Sequence, residues 1–138
     1  MIDERVVPAS MVATPMAESL GQFLDVVTAR YKLTASNLAN IDTPGYRTRD
    51  LDFRAELRRA ATEEDEMQGA RLGAVSFQPV ARAVHGLLER PDGNNVSVER
   101  ESMLLAESQM KFNLGVQLLK DQFHLISLAI NSGGGSTS

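Results

Sequence analysis

Residues 38–46 read Leu38-Ala39-Asn40-Ile41-Asp42-Thr43-Pro44-Gly45-Tyr46, and they close a long amphipathic stretch with a chemically specified turn. Asn40 can adopt a left-handed conformation, and Asp42 and Thr43 can bond nearby backbone. The residue before Pro44 is pushed out of helix, and Pro44-Gly45 suits a type II turn. Tyr46 follows with a ring that can pack on the helix end while its hydroxyl finds a polar partner. These residues form the signature turn that hands the first helix over to the middle of the chain.

Upstream, Pro15 suits the first turn of a helix, with Thr14 as N-cap and Glu18 near the positive end of the dipole. Leu20, Leu24, Val27, Tyr31, Thr34, Leu38 and Ile41 recur in alternating steps of four and three, a heptad-like stripe that Phe23 and Ala35 widen. Thr34 is its weakest member. Near the other end, Asp92-Gly93-Asn94-Asn95 is a turn signal and Ser97 is placed to cap a second helix, with Glu99 and Glu101 in its first turn. Its stripe runs through Val98, Ser102, Leu105, Gln109, Phe112, Val116, Leu119, Phe123, Ile126 and Ile130. Gly115 lowers its helix propensity.

Between the helices the chain is polar. Residues 47–60 begin extended and become a short helix, with Asp52 as N-cap, Leu57 on the buried side and Phe53 as an anchor. Residues 61–73 include the acidic run Glu63-Glu64-Asp65-Glu66 without a clear period and read as a mobile loop. Val75, Phe77 and Val80 alternate like a brief strand bounded by Pro79, and residues 84–88 offer a second. The expected fold is mainly α and elongated: the terminal helices pair as an antiparallel coiled-coil hairpin, and the middle is irregular with short β elements. The division is an extended leader over 1–14, one helical unit from 15–46 with 96–131, a middle segment over 47–95 and a flexible tail over 132–138.

The 138 residues allow one domain, and five Phe, two Tyr and no Trp mean that Leu, Val, Ile, Ala and Met must supply the core. Fourteen Lys and Arg against eighteen Asp and Glu give a net charge of −4, so no nucleic-acid partner is expected. The absence of cysteine excludes disulfides and thiolate chemistry. The acidic, proline-broken N-terminus lacks the pattern of a cleavable signal, and no window reaches the roughly 18 apolar residues of a membrane span. His85 and His124 lie far apart without a ligand cluster, so metal, cofactor and catalytic roles are not expected. Asp50 and Asp52 share one side of an extended segment but read as turn and capping residues. Arg47, Arg49, Arg54, Arg58 and Arg59 form a basic cluster that Asp50, Asp52 and Glu56 interrupt.

Residues 37–46 resemble the signature of the bacterial flagellar rod, hook and hook-associated axial proteins. The continuation Arg47-Thr48-Arg49-Asp50-Leu51-Asp52-Phe53, together with Asp92-Gly93-Asn94-Asn95-Val96, is similar to the proximal rod branch. This resemblance covers both terminal regions; residues 60–91 carry no assignable motif, and the leader before Pro15 departs from the family's helical pattern. It implies a structural subunit exported from the cytoplasm by the flagellar type III apparatus without signal cleavage, and polymerised into the proximal rod across the periplasm. The implied partners are copies of itself, other rod subunits, the export apparatus, and the junction between the membrane ring and the export gate. Phe23 and Val27 fit the spaced apolar pattern that the gate reads in early export substrates, although core packing is the simpler role for both.

The expected assembly seam comprises Leu20, Leu24, Val27, Tyr31, Leu38, Leu105, Phe112, Val116, Leu119, Phe123 and Ile126. Leu24, Val27, Tyr31 and Leu38 are expected to be the main packing positions against Phe112, Val116, Leu119 and Phe123. A sister proximal rod subunit shares the turn signature. A cytosolic coiled-coil adaptor or export chaperone would share the heptads without needing the turn.

Overall fold

The computed structural model describes residues 15–67 and 78–133. Within them the order is α1 (Pro15–Ala39), β1 (Arg49–Asp50), α2 (Phe53–Met67), β2 (Arg82–Ala83) and α3 (Val98–Gly133). The leader, its Thr14 cap, residues 68–73 of the expected loop and the Val75–Phe77 strand lie outside the described residues.

Each helix begins as its local chemistry dictates. Asp52 Oδ1 accepts from the Ala55 N–H at 3.0 Å, and Ser97 Oγ accepts from the Arg100 N–H at 3.3 Å. Helix α1 ends in a tightened turn: the Asn40 N–H is shared between Ser36 and Asn37 carbonyls, and the Ile41 N–H reaches only back to Leu38. Asn40 itself keeps a negative φ, contrary to expectation, because the reversal comes later, at Gly45 with φ 73°. The Tyr46 N–H donates to the Thr43 carbonyl at 3.2 Å, so Thr43–Tyr46 forms the type II turn that Pro44-Gly45 specifies.

The terminal helices pack together and run antiparallel. Asn37 meets Glu101, Arg30 faces Glu107, and Phe23 and Leu24 lie beside Gly115. At 1.5 Å per residue α3 is about 54 Å long and α1 about 38 Å. This register sets Pro15 roughly opposite Phe123, so the last turns of α3 pass beyond the start of the described α1. On the flank of the hairpin, Phe23 and Phe53 meet edge to face at 5.7 Å, and Lys111 Nζ lies 4.2 Å from the Phe53 ring centre. The β1–β2 pair is antiparallel, with Arg49 opposite Ala83 and Asp50 opposite Arg82.

Three expectations need correction. Residues 61–67 are helical rather than loop: α2 continues to Met67, since the acidic run lacks an apolar period but contains no helix breaker. Neither Val80 nor residues 84–88 form the second strand; it is Arg82–Ala83, selected by pairing with β1 rather than by its own alternation. The third correction concerns the inner line of α3, which is Glu101, Leu104, Ser108 and Gly115. It is rotated by about 100°, one residue, from the expected stripe.

On that stripe Leu105, Val116, Leu119 and Ile126 are half-buried, whereas Val98, Ser102, Gln109, Phe112, Phe123 and Ile130 are exposed. On α1 and the turn that follows it, Val27 and the supposedly weak Thr34 are buried, Leu20, Leu24, Leu38 and Ile41 are half-buried, and Tyr31 is exposed. Of the expected pairing, Val27 is buried, Leu24 lies against Gly115, and Val116 and Leu119 are half-buried, whereas Tyr31, Phe112 and Phe123 stand at the exposed margin of the interface. Hydropathy favours large apolar residues, but close approach of two helices favours small ones. A Cβ added at Gly115 would lie 2.7 Å from Leu24 Cδ2 and 3.1 Å from the Phe23 ring.

Gly115→Leu is accordingly expected to splay the hairpin and to cost roughly 1–3 kcal/mol, even after the gain in helix propensity. Thermal unfolding followed by circular dichroism checks this, and an unchanged midpoint would show that the helices are not in close contact there.

Candidate assembly site

The described core contains few buried apolar side chains: Val26, Val27, Leu51, Ala60 and Leu104. Most of its remaining buried residues are polar, and they gather where the signature turn meets the start of α3. Burying polar groups is tolerable only when each finds a partner.

Asn37, on the inner face of α1, is the hub. Its Nδ2 donates to the Arg49 carbonyl at 2.8 Å and to Glu101 Oε2 at 2.9 Å. Its Oδ1 accepts from the Tyr46 hydroxyl at 3.1 Å and the Arg49 N–H at 3.2 Å. The tyrosine hydroxyl thus finds the polar partner its position in the turn called for. Glu101 is wholly buried, and its other oxygen accepts from Arg100 Nη1 at 2.6 Å.

Asn94, also buried, binds the turn from the opposite side. Its Nδ2 donates to the carbonyls of Asn40, Ile41 and Thr43 at 2.9, 3.1 and 2.9 Å, while its Oδ1 accepts from the Val96 N–H at 2.8 Å. A single amide from residues distant in sequence therefore caps α1. The guanidinium of Arg90 also donates to the Ile41 carbonyl, placing positive charge at the negative end of the helix dipole. Asn95 Oδ1 accepts from the Thr48 N–H at 2.7 Å, and the Gly45 N–H donates to the Asp92 carbonyl at 2.8 Å. Gly93 completes this contact: a Cβ there would stand 3.4 Å from Gly45 Cα, and its own φ is 83°.

A charged clamp secures the other side. Arg30 Nε and Nη2 donate to the two oxygens of Asp50 at 3.0 Å each, and Arg100 Nη2 donates to Oδ2 at 2.7 Å. Burial pushes the Asp50 carboxyl up, but the Arg30 hydrogen bond, the Leu51 N–H and Arg100 outweigh it and hold its pKa below the usual carboxylate range. Because the folded pKa is depressed, this clamp stabilises fully above the unfolded value near 3.9. Its contribution is lost as pH falls through the lower folded value. Asp50→Asn is expected to cost roughly 2–3 kcal/mol at pH 7 and to flatten the loss of stability below about pH 4. Thermal midpoints measured from pH 2 to 7 decide it.

The predicted residues are distributed unevenly around this cluster. Tyr46 and Gly45 lie within it; Asp42, Thr43 and Pro44 are exposed, with the Thr43 hydroxyl donating to Asn40 Oδ1 at 3.1 Å. Asp52 caps α2 as expected, whereas Asp50, read from the sequence as a turn or capping residue, belongs to the clamp. The basic cluster is partly neutralised: Arg47 pairs with Glu89, and Arg59 with Glu56. His85 and His124 are exposed. Among the described residues, no group of three or more His, Asp or Glu could hold a metal, and no helix is long and apolar enough to cross a membrane.

A sequence profile of the flagella basal body rod proteins matches residues 28–47, the half of α1 that carries Arg30 and Asn37 together with the signature turn. FlgB of Salmonella typhimurium, named as a flagellar basal body rod protein, is 31% identical over 111 residues, covering 72% of this chain and 80% of that one. The chain belongs to the FlgB family of flagellar basal body rod proteins. FlgB of Cereibacter sphaeroides is 32% identical over 114 residues (79% of this chain, 88% of the relative), and that of Escherichia coli K12 is 29% identical over 122 (80% and 88%).

For this FlgB-family chain, sequence reasoning found the turn but missed the residues that hold it: Arg30, Asn37, Thr48, Asn94, Asn95 and Glu101. One signal was available. Asn37 falls three residues after Thr34, on the inner side of an otherwise apolar helix, where a polar residue commonly sets register.

Proposed function

We propose that this chain is a structural subunit of the flagellar basal body that polymerises into the proximal part of the rod. One observation carries the reading. The hairpin fills its interface with small and polar residues and leaves the large apolar side chains Tyr31, Phe112, Phe123, Leu125, Leu128 and Ile130 exposed. Phe112, Phe123 and Ile130 share one side of α3 and Leu125 and Leu128 the other, and exposed apolar area of this extent fits subunit contacts, since each large side chain covered by a neighbour contributes about 1.5–3 kcal/mol before ordering costs. The expected assembly seam therefore acts between chains through its exposed members. Meanwhile the polar cluster fixes the angle at which the middle segment leaves the hairpin toward adjacent subunits.

On this proposal the chain leaves the cytoplasm unfolded through the type III apparatus and assembles in the periplasm with its own copies and other rod subunits, beginning at the membrane ring and export gate. Val27 is buried and Phe23 packs on Phe53. Any contact of these two with the gate would precede folding. Deleting the gene in a flagellated host should leave membrane rings without a rod in electron micrographs. The intact chain should restore the rod, and Phe123→Asp, an exposed position, should fold but fail to restore it. Complete rods in the deletion strain would overturn the proposal.

A further inference from the structure

Helix α3 outruns its partner. Beyond Phe123, which lies opposite Pro15, it continues to Gly133, about 15 Å further, and every residue from Ser127 onward is exposed. This end is poor material for a free helix. Ile126, Ser127, Ile130, Asn131, Ser132 and Gly133 have lower helix propensity than alanine, and residues 125–133 carry no charge from which a bracing ion pair could form. Helix in such a stretch depends mostly on packing of an apolar face. A face is present: Ile126 stands eleven residues, about three turns, beyond Gly115, and Ile130 one turn beyond Ile126. Both thus continue the side of α3 that faces α1, Ile126 half-buried and Ile130 65% exposed.

The chain that enters α1 arrives at this place. Fourteen residues precede Pro15, and the nearest of them, residues 6–14, are uncharged and include Val6, Val7, Met11 and Val12. Met11 and Val12 stand four and three residues before Pro15. At the rise of a helix or of an extended strand, that spacing carries them about 5–13 Å along α3 from Phe123. Ile126 and Ile130 lie about 5 and 11 Å along the same line. Pro15 pushes Thr14 out of helical conformation, so the leader departs from the α1 axis as a strap rather than as one more turn.

We propose that the leader of the same chain lies along the free end of α3, with Met11 and Val12 over Ile126 and Ile130. The contact prolongs the α1–α3 interface with a segment already joined to it. A tether of two or three residues gives the leader an effective concentration in the millimolar range, an advantage that no second copy shares. Residues 134–138 are Gly, Ser and Thr and have no large apolar side chain to offer. Both partners are uncharged, so closing the contact strands no ion. Phe112, Phe123, Leu125 and Leu128 stay open to neighbouring subunits, and the contact does not depend on the rod reading.

The chain has no cysteine, so introduced pairs report this contact alone. Val12→Cys should be combined with Ile130→Cys in one full-length chain and with Leu128→Cys in another. The two α3 positions are about equally far along the helix but face opposite ways. On oxidation of the purified proteins, the Ile130 pair is expected to form an intrachain disulfide about tenfold faster or more. Equal rates would reveal a loose tether and overturn the contact. Disulfide-linked dimers as the main product would overturn it in favour of a second copy's leader. Should the cysteine variants misfold, Val12→Asp decides: amide hydrogen exchange over residues 126–131 is expected to speed up about tenfold, and unchanged exchange would refute the contact.

Discussion

Asn37→Leu is expected to lower stability by about 3–5 kcal/mol, although leucine nearly matches asparagine in shape and has the higher helix propensity. The substitution removes four hydrogen bonds together, with Glu101, the Tyr46 hydroxyl, and the N–H and carbonyl of Arg49. The decisive loss is at Glu101, whose fully buried carboxylate would keep only Arg100. An uncompensated buried charge costs far more than the net worth of a satisfied hydrogen bond. Against the 5–15 kcal/mol typical of a whole domain, this leaves the hairpin close to unfolding at 37 °C. Urea titration monitored by far-ultraviolet circular dichroism gives the number. Adding Glu101→Leu should recover part of it, because the charge that needed the amide is gone. A single variant within 1 kcal/mol of the natural chain would show that Asn37 is not the hub.

Asn94→Asp is the second large effect. Its geometry is nearly unchanged, but an oxygen replaces the Nδ2 that faces the carbonyls of Asn40, Ile41 and Thr43. A negative charge then sits at the negative end of the α1 dipole, against three acceptors. The expected cost is about 3 kcal/mol, more than the roughly 2 kcal/mol expected for Asn94→Ala, which only leaves the capping bonds unmade. The ranking is the test, since a role confined to filling space would make alanine the worse substitution. Hydrogen exchange gives a local readout. The amides of Gly45 and Asn95, which bridge the turn and the 92–95 segment, should lose protection before the middle of the hairpin does.

Much of this architecture was legible along the chain. Pro15 marked the start of α1, Ser97 and Asp52 capped their helices, and Pro44-Gly45 specified the turn. Each is a short-range rule that acts through the backbone of the residues concerned. The family resemblance was legible for the same reason: it rests on a contiguous motif.

What the sequence alone did not determine was which side of each helix faces inward. The hairpin turns Glu101, Ser108 and Gly115 inward, a choice that hydropathy ranks last. It becomes favourable only because Asn37 and Arg100 satisfy Glu101, and because Phe23 and Leu24 fill the space beside Gly115. Likewise Asn94 gave no sign, fifty residues downstream, that it would cap α1. The local conformation of this protein was thus set by neighbours in sequence. Its inner face and its polar cluster were decided by tertiary contacts, since the stability of a buried polar group depends on a partner that only the folded chain brings within reach.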